Sequence, residues 1–399
     1  MSSEQILVKV SGPDKPGITH QLLSIIDRDH CSVVDMGQSV THGLLSLSIL
    51  IQTSESENDY PVIKDLLFTA KKLGMVLDFN ILENGTPKPK TVNKRDRFIL
   101  HSISTKCLPT GYLKETAGVL AANGVNIHRI DCTNPDRFNS LEITTTLGEK
   151  TDLPSLKKEL MQISNRYQVD AAFLRDNVWL RNKRLIVFDM DSTLIQTEVI
   201  DEMAIEHGVG DEVIKITESA MNGEIDFDES LKRRVKLLEG MSESSLQNIL
   251  ERLKYTSGVQ EFVEKVKVLG YKLAVISGGF TFFANAIKKD LGLDYAFANE
   301  LEIINGKLTG NVKGTIINAD QKSMIMGLIA QQEGLHKEQI VAIGDGANDL
   351  PMLTSAGLGI AYHAKEIVRE KAGQQLGHGP MTSILHFLGV SEEDIEQIN

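Results

Sequence analysis

Residues 185–188, Leu-Ile-Val-Phe, run straight into Asp189-Met190-Asp191. Four consecutive apolar residues rich in branched side chains suit a strand covered on both faces, as in a parallel sheet. The carboxylates then fall at its carboxyl end, the edge where open parallel sheets bind ligands. Two carboxylates this close repel each other unless a cation or a shared proton relieves them. The stretch therefore points to a buried α/β sheet with a charged site at its rim, where a metal is the first expectation and a shared proton the alternative.

The pattern downstream agrees. Apolar runs at 185–189, 272–276, 296–300 and 340–343, with helical patterns between them, predict a doubly wound parallel sheet over residues 184–399. The long stretch 199–252 interrupts it with helical spacing (Val213, Ile216, Ala220; Leu231, Val235, Leu238; Leu246, Ile249, Leu253), which predicts a helical cap able to close over a site.

The first half is duplicated at an offset of 94 residues: Gly17 falls on Gly111, Leu23 on Ala117, Ile26 on Leu120, Val33 on Ile127, Leu47 on Leu141 and Ile49 on Ile143. Each copy reads strand, turn, helix, strand, strand, helix, strand, a βαββαβ plan. Leu45, Leu47, Ile49 and Ile51 alternate as in a sheet with one covered face. The copies are expected at 1–84 and 97–176. Between them, "ENGTPKPKTVNKRDR", with two prolines and many charges, reads as a linker near 84–96.

Through "SGPDKPGITHQLLSII" and "LAANGVNI" the two copies resemble ACT domains, ferredoxin-like modules that bind amino acids between paired units. The resemblance implies a homodimer and serine as a ligand of these modules. Gly17, at a strand-to-helix turn, would offer backbone amides to a carboxylate, and the same glycine equally serves plain turn formation. The second copy has "STKCLPTGYL" in place of the DKPGI turn, which makes a ligand less secure there.

Charge excludes some classes. Residues 1–183 carry 22 Lys and Arg against 21 Asp and Glu, whereas 184–399 carry 20 against 33. An acidic half lacks the basic footprint of nucleic-acid binding, and a phosphate ligand there must be drawn by local cations or amides. No stretch of about 18 uncharged apolar residues spans a bilayer. Three cysteines without paired spacing, and an amino terminus unlike a signal peptide, predict a cytoplasmic protein.

"FDMDSTL" (188–194), "ISGGF" (276–280), Lys322 and "GDGANDLPML" (344–353) stand in the order of the haloacid dehalogenase superfamily of phosphohydrolases, which the second half resembles. Singly, each has a bland reading as a turn, a loop or a solvated lysine. Phosphoryl transfer needs a nucleophile, a cation and donors for the phosphate oxygens. The resemblance implies Asp189 as nucleophile forming an aspartyl phosphate, and Asp191 as general acid and base. Ser277, the Gly278 N–H, Lys322 and Asn348 would hold the phosphate side of the substrate. Mg²⁺ would rest on Asp189, Asp345 and the backbone carbonyl of Asp191, with Asp349 acting from behind these ligands.

Within the superfamily, "DSTLIQTEVIDEMA", "AMNGEIDFDESLKRRVKLL", "VISGGF" and "DYAFANELEI" resemble the phosphoserine phosphatase family. This implies hydrolysis of O-phospho-L-serine, the last step of serine biosynthesis, with Glu198 meeting the ammonium and Arg234, rather than Arg233, clamping the carboxylate. Met221 and Phe227 would cover the substrate, or simply fill the cap core. Two rivals stay open: a phosphatase for another small phosphomonoester, and an amino-acid-sensing regulatory protein.

Overall fold

The computed structural model describes residues 4–53, 61–82, 96–134, 137–222, 224–372 and 374–398. All but the last residue of the expected linker lies outside the described residues. The chain divides into two units, Met1–Thr91 and Val92–Asn399.

In the first unit β1 (Glu4–Pro13), α1 (Ile18–Arg28), β2 (Ser32–Thr41), β3 (Leu44–Thr53), α2 (Pro61–Leu73) and β4 (Val76–Leu82) form an antiparallel sheet of order β2-β3-β1-β4 with two helices. The alternating residues of β3 are its covered face: Leu45, Leu47, Ile49 and Ile51 are buried with Leu22, Ile26 and Leu66. Gly17, at φ 91°, precedes α1 in a left-handed conformation that favours glycine.

The second unit opens with the same plan: β5 (Arg97–Ile103), α3 (Thr110–Ala122), β6 (Asn126–Cys132), β7 (Ser140–Thr146), α4 (Leu153–Tyr167) and β8 (Asp170–Arg175), in the order β6-β7-β5-β8. Its turn is built differently. Pro109 precedes α3, Gly111 lies inside the helix, and a Cβ on it would come 2.7 Å from the Tyr167 hydroxyl. The sequence offset thus pairs two glycines kept for different reasons, one for its backbone angle and the other for a close neighbour.

The remainder is a seven-stranded sheet of order β12-β11-β10-β9-β13-β14-β15. Its chain order is β9 (Leu185–Phe188), the helices α5 (Val199–His207), α6 (Gly210–Met221), α7 (Phe227–Leu237), α8 (Glu243–Arg252) and α9 (Val259–Val268), then β10 (Lys272–Phe280), α10 (Thr281–Leu291), β11 (Tyr295–Ile304), β12 (Lys307–Lys313), α11 (Ala319–Gln332), β13 (Ile340–Gly344), α12 (Leu350–Ser355), β14 (Leu358–Tyr362), α13 (Glu366–Ala372), β15 (Gln375–Leu376), α14 (Ile384–Phe387) and α15 (Glu392–Gln397). Central β9 pairs in parallel with β10 and β13, and all four of its side chains are fully buried. The four expected strands are present. β12, β14 and β15 are additional, and β12 runs antiparallel, so the sheet is mixed at that edge. From α5 to α8 the inserted segment is helical, with Val213, Leu231, Val235, Leu238, Leu246 and Ile249 buried.

The second repeat is welded to this sheet. Ile99, Ile103, Ala172 and Leu174 belong to the same apolar cluster as Leu385 and Phe387. Gln374 reads the edge of β8 as a strand would: its Oε1 accepts from Phe173 N–H at 2.8 Å and its Nε2 donates to Phe173 C=O at 3.1 Å. Buried Asp170 accepts from the amides of Gly377 at 2.6 Å, Gly379 at 2.8 Å and His378 at 3.2 Å.

His101 lies in this contact, 3% exposed, with Phe387 beside it and Nδ1 3.4 Å from Glu142 Oε1. Burial, and then the Arg181 cation and His386, depress its imidazolium to about 3. In the unfolded chain the ring titrates near its ordinary 6.5, so the unfolded state binds the extra proton below that pH. This stability is present above pH 6.5 and is lost as pH falls toward 3, amounting to about 2 kcal/mol between pH 7 and pH 5. The unfolding free energy of the parent from urea titrations should fall over that interval, and that of His101→Leu should fall less by about this amount. Parallel pH profiles would refute the assignment.

Candidate active site

The chain leaves β9 through a wide turn, Met190–Leu194, in which Ser192 adopts φ 55°. This brings both aspartates back over the sheet edge, and they remain buried, Asp189 4% and Asp191 7% exposed. Oδ1 of Asp189 accepts from Met190 N–H at 2.8 Å and lies 2.7 Å from the Lys322 ammonium. Lys322, from α11, is 1% exposed and also reaches Asp349 Oδ1 at 2.8 Å. Asp349, in the turn after β13, accepts from Gly346 N–H at 3.0 Å through its other oxygen. Among the described residues Asp345 is the least engaged of these acids, accepting from the Thr193 hydroxyl at 3.3 Å.

Asp189, Asp345 and Asp349 each offer an oxygen within 4.8 Å of the others. Such crowding shows in their titration. Burial and Asp349 push Asp189 well above the usual carboxylate range, with Lys322 opposing. Burial, Asp349 and Glu198 push Asp345 up to about 7. Burial by itself would lower the Lys322 ammonium, but Asp189 and Asp349 hold it above its ordinary value. An all-oxygen donor set with surplus negative charge suits a hard divalent cation.

Asp191 is aimed by two donors: Val199 N–H at the start of α5, 2.8 Å from Oδ1, and Ser277 Oγ, 3.2 Å from Oδ2. Burial and the Glu198 carboxylate raise it to about 7. Space around it is reserved by Gly279, where a Cβ would stand 2.7 Å from Asp191 Oδ2. Ser277 in turn accepts from Gly279 N–H at 2.8 Å, which fixes the 277–279 loop below the cavity.

A cavity of about 650 Å³ gathers Asp189, Asp191, Glu198, Phe227, Arg234, Ser277, Gly278, Asp345 and Asn348 on its wall. Lys322 lies beneath that wall. The cap helices bring an acid and a base to this cavity: Glu198 precedes α5 and accepts from Ser192 Oγ at 2.9 Å, and burial raises its carboxyl. Arg234, on α7, is half-buried on the same cavity, where burial lowers its guanidinium against the pull of Asp201 and Glu198. Arg233 turns outward to Glu229 at 2.6 Å. The side chain of Met221 lies outside the described residues.

Four contributors were not singled out from sequence. Ser192 and Thr193 sit inside the recognised motif and carry hydrogen bonds to Glu198 and Asp345. Asn299, 1% exposed on β11, donates to Gly278 C=O at 2.7 Å and accepts from Ile317 N–H at 2.8 Å, bracing the 277–279 loop. Lys365 lines the cavity from just before α13. Only the first two had a local signal.

Residues 183–357 match the model of the haloacid dehalogenase-like hydrolases, and residues 4–80 that of the ACT domain. A phosphoserine phosphatase of Mycobacterium tuberculosis is 35% identical over 98% of this chain and 94% of its own. One of Archaeoglobus fulgidus is 47% identical over 64% of this chain and 74% of its own. Among solved structures, a haloacid dehalogenase family hydrolase from Salmonella enterica serovar Typhi superposes with a TM-score of 0.64 at 34% identity, covering 73% of this chain and 98% of that one. A probable phosphoserine phosphatase from Vibrio cholerae gives 0.59 at 34%, covering 78% and 92%.

Proposed function

Because this chain belongs to the phosphoserine phosphatase family of haloacid dehalogenase-like hydrolases, we propose that it hydrolyses O-phospho-L-serine to L-serine and phosphate as the last step of serine biosynthesis. The observation that carries this reading is the cavity itself, which sets an acid, Glu198, and a base, Arg234, beside a buried pair of aspartates. Phosphoserine has an ammonium, a carboxylate and a phosphate to match.

Asp189 and Asp345, with the Asp191 carbonyl, would hold Mg²⁺, which when bound neutralises phosphate and carboxylate charge at the point of attack. Asp189 Oδ2 attacks phosphorus while the bond to the serine oxygen breaks, and Lys322 offsets the charge that gathers. Asp191, with a pKa of about 7, gives its proton to the departing serine oxygen. It then takes one from the water that attacks the aspartyl phosphate, releasing phosphate and restoring Asp189. Ser277 Oγ and Val199 N–H keep Asp191 on that line.

We place the functional borders at 1–84 and 97–176 for the ACT-like modules and 184–399 for the phosphatase, capped by 199–252. We also infer a cytoplasmic homodimer in which the modules take serine. The ACT match over 4–80 supports the amino-acid ligand, and among the described residues no helix is long and apolar enough to cross a membrane.

Phosphate release from a panel of phosphomonoesters, with and without added serine, tests the activity. Phosphoserine should lead the panel by about 10²-fold in kcat/KM; a sugar phosphate or nucleotide in first place would replace this reading. Glu198→Gln and Arg234→Ala should each lower kcat/KM for phosphoserine by about 10²-fold. Methyl phosphate, which has neither ammonium nor carboxylate, should lose far less. Equal losses on both esters would remove the recognition roles.

A further inference from the structure

β10 and β11 fall out of step beside the catalytic cavity. Ile276 pairs with Phe297 and Phe280 with Asn299, so four residues of β10 run against two of β11. The surplus is the 277–279 loop, which leaves the ladder as bulged strands do beside active sites. Its peptide groups then need partners outside the ladder.

For Gly278 C=O that partner is the Asn299 side chain, whose Nδ2 donates to it at 2.7 Å. The orientation of the amide follows from its other neighbour. Ile317 N–H can only donate, so Oδ1 must face it, at 2.8 Å, and the nitrogen is left for the carbonyl. The side chain is buried, so its loss would leave both backbone groups unmet.

This bond reaches further than the loop. Gly278 C=O and Gly279 N–H belong to one planar trans peptide and point opposite ways, so a held carbonyl aims the N–H. Between two glycines no Cβ resists the turning over of that peptide, which makes an outside brace necessary. Gly279 N–H donates to Ser277 Oγ at 2.8 Å, and Ser277 Oγ donates to Asp191 Oδ2 at 3.2 Å. A single chain of hydrogen bonds thus runs from β11 to Asp191, and the members of such a chain polarise and orient one another.

We propose that Asn299 is a positioning residue for Asp191, acting through the Gly278–Gly279 peptide and Ser277 to keep that carboxyl in line with the departing oxygen, a role that rests on the reaction proposed above. Ile317 precedes Asn318, the N-cap of α11, so the same side chain also steadies the start of the helix that carries Lys322. A fault passed along that second route, like a plain loss of stability, would bear on every phosphate compound alike.

The leaving group separates the two routes. An alkoxide departs only as a proton reaches it, whereas acetate departs as the anion. With the whole chain and Mg²⁺, Asn299→Leu, a change of similar volume, should lower kcat/KM about 10²-fold for phosphoserine and methyl phosphate but less than about threefold for acetyl phosphate. Asp191→Asn, assayed on the same three compounds, shows the pattern that loss of the acid itself produces. Asn299→Asp covers the case in which the leucine variant does not fold. It keeps an acceptor for Ile317 and donates to Gly278 only while protonated, so its loss on phosphoserine relative to the parent should grow between about pH 5 and pH 8. No loss in the Asn299 variants, or equal losses on all three compounds while Asp191→Asn stays selective, overturns the relay and leaves the proposed function standing. Equal losses in Asp191→Asn overturn the acid role, and the relay falls with it. Should another alkyl ester outrun phosphoserine in the parent, only the substrate assignment falls, and the same ratio is read on that ester.

Discussion

Asp189→Asn is expected to lower phosphoserine turnover by at least about 10⁴-fold, as loss of a covalent nucleophile does, while the folded state stays intact. The amide keeps an oxygen for Met190 N–H and for Lys322, so the packing of the turn survives. Lys322 also retains Asp349 at 2.8 Å as counter-ion. What disappears is the charged oxygen proposed to form the bond to phosphorus. The change also removes one of the crowded carboxylates that burial and Asp349 destabilise. Tm should therefore stay within about 3 °C of the parent. Steady-state phosphate release and a thermal scan of the same preparation suffice. Undiminished hydrolysis by this variant would sink the aspartyl-phosphate mechanism.

Lys322→Met should do the opposite to stability. Its ammonium is the one cation bound directly to both Asp189 and Asp349 among the described residues, and both acids are buried. Removing it leaves uncompensated charge in the interior, which costs about 3–5 kcal/mol, or a fall in Tm on the order of 10 °C. Activity should fall about 10³-fold, because the phosphoryl group loses a preorganised cation. Added Mg²⁺ binds only the folded acids and should recover part of the lost Tm without restoring the rate. An unchanged Tm in metal-free buffer would mean that the three carboxylates do not need the lysine, and the electrostatic account of the site would fail.

The parts of this structure that could be read from sequence are those whose causes are local. The run 185–188 is apolar because both faces of β9 are covered, and the alternation in β3 follows from its single covered face. Arg234 could be told from Arg233 only through the family pattern, since nothing in "KRR" says which side chain turns inward. β12, Lys307–Lys313, is short and largely polar, so it shows no strand period. Asn299 is one polar residue in an ordinary strand, and its part in bracing Gly278 depends on a fold that brings β10 and β11 together. The contact along β8 was hidden for the same reason: it comes from residues more than 200 positions further along the chain, in "QQLGHG".

That last contact has a consequence for how the chain can be cut. The side-chain amide of Gln374 stands in for a neighbouring peptide at Phe173, and Asp170 grips the three amides that follow. Trimming the carboxyl terminus before residue 374 would bare the β8 backbone at Phe173 and strand a buried carboxylate, the condition in which sheet margins recruit foreign strands. A fragment ending there is thus a poor reagent, and subcloning the second module by itself meets the same obstacle.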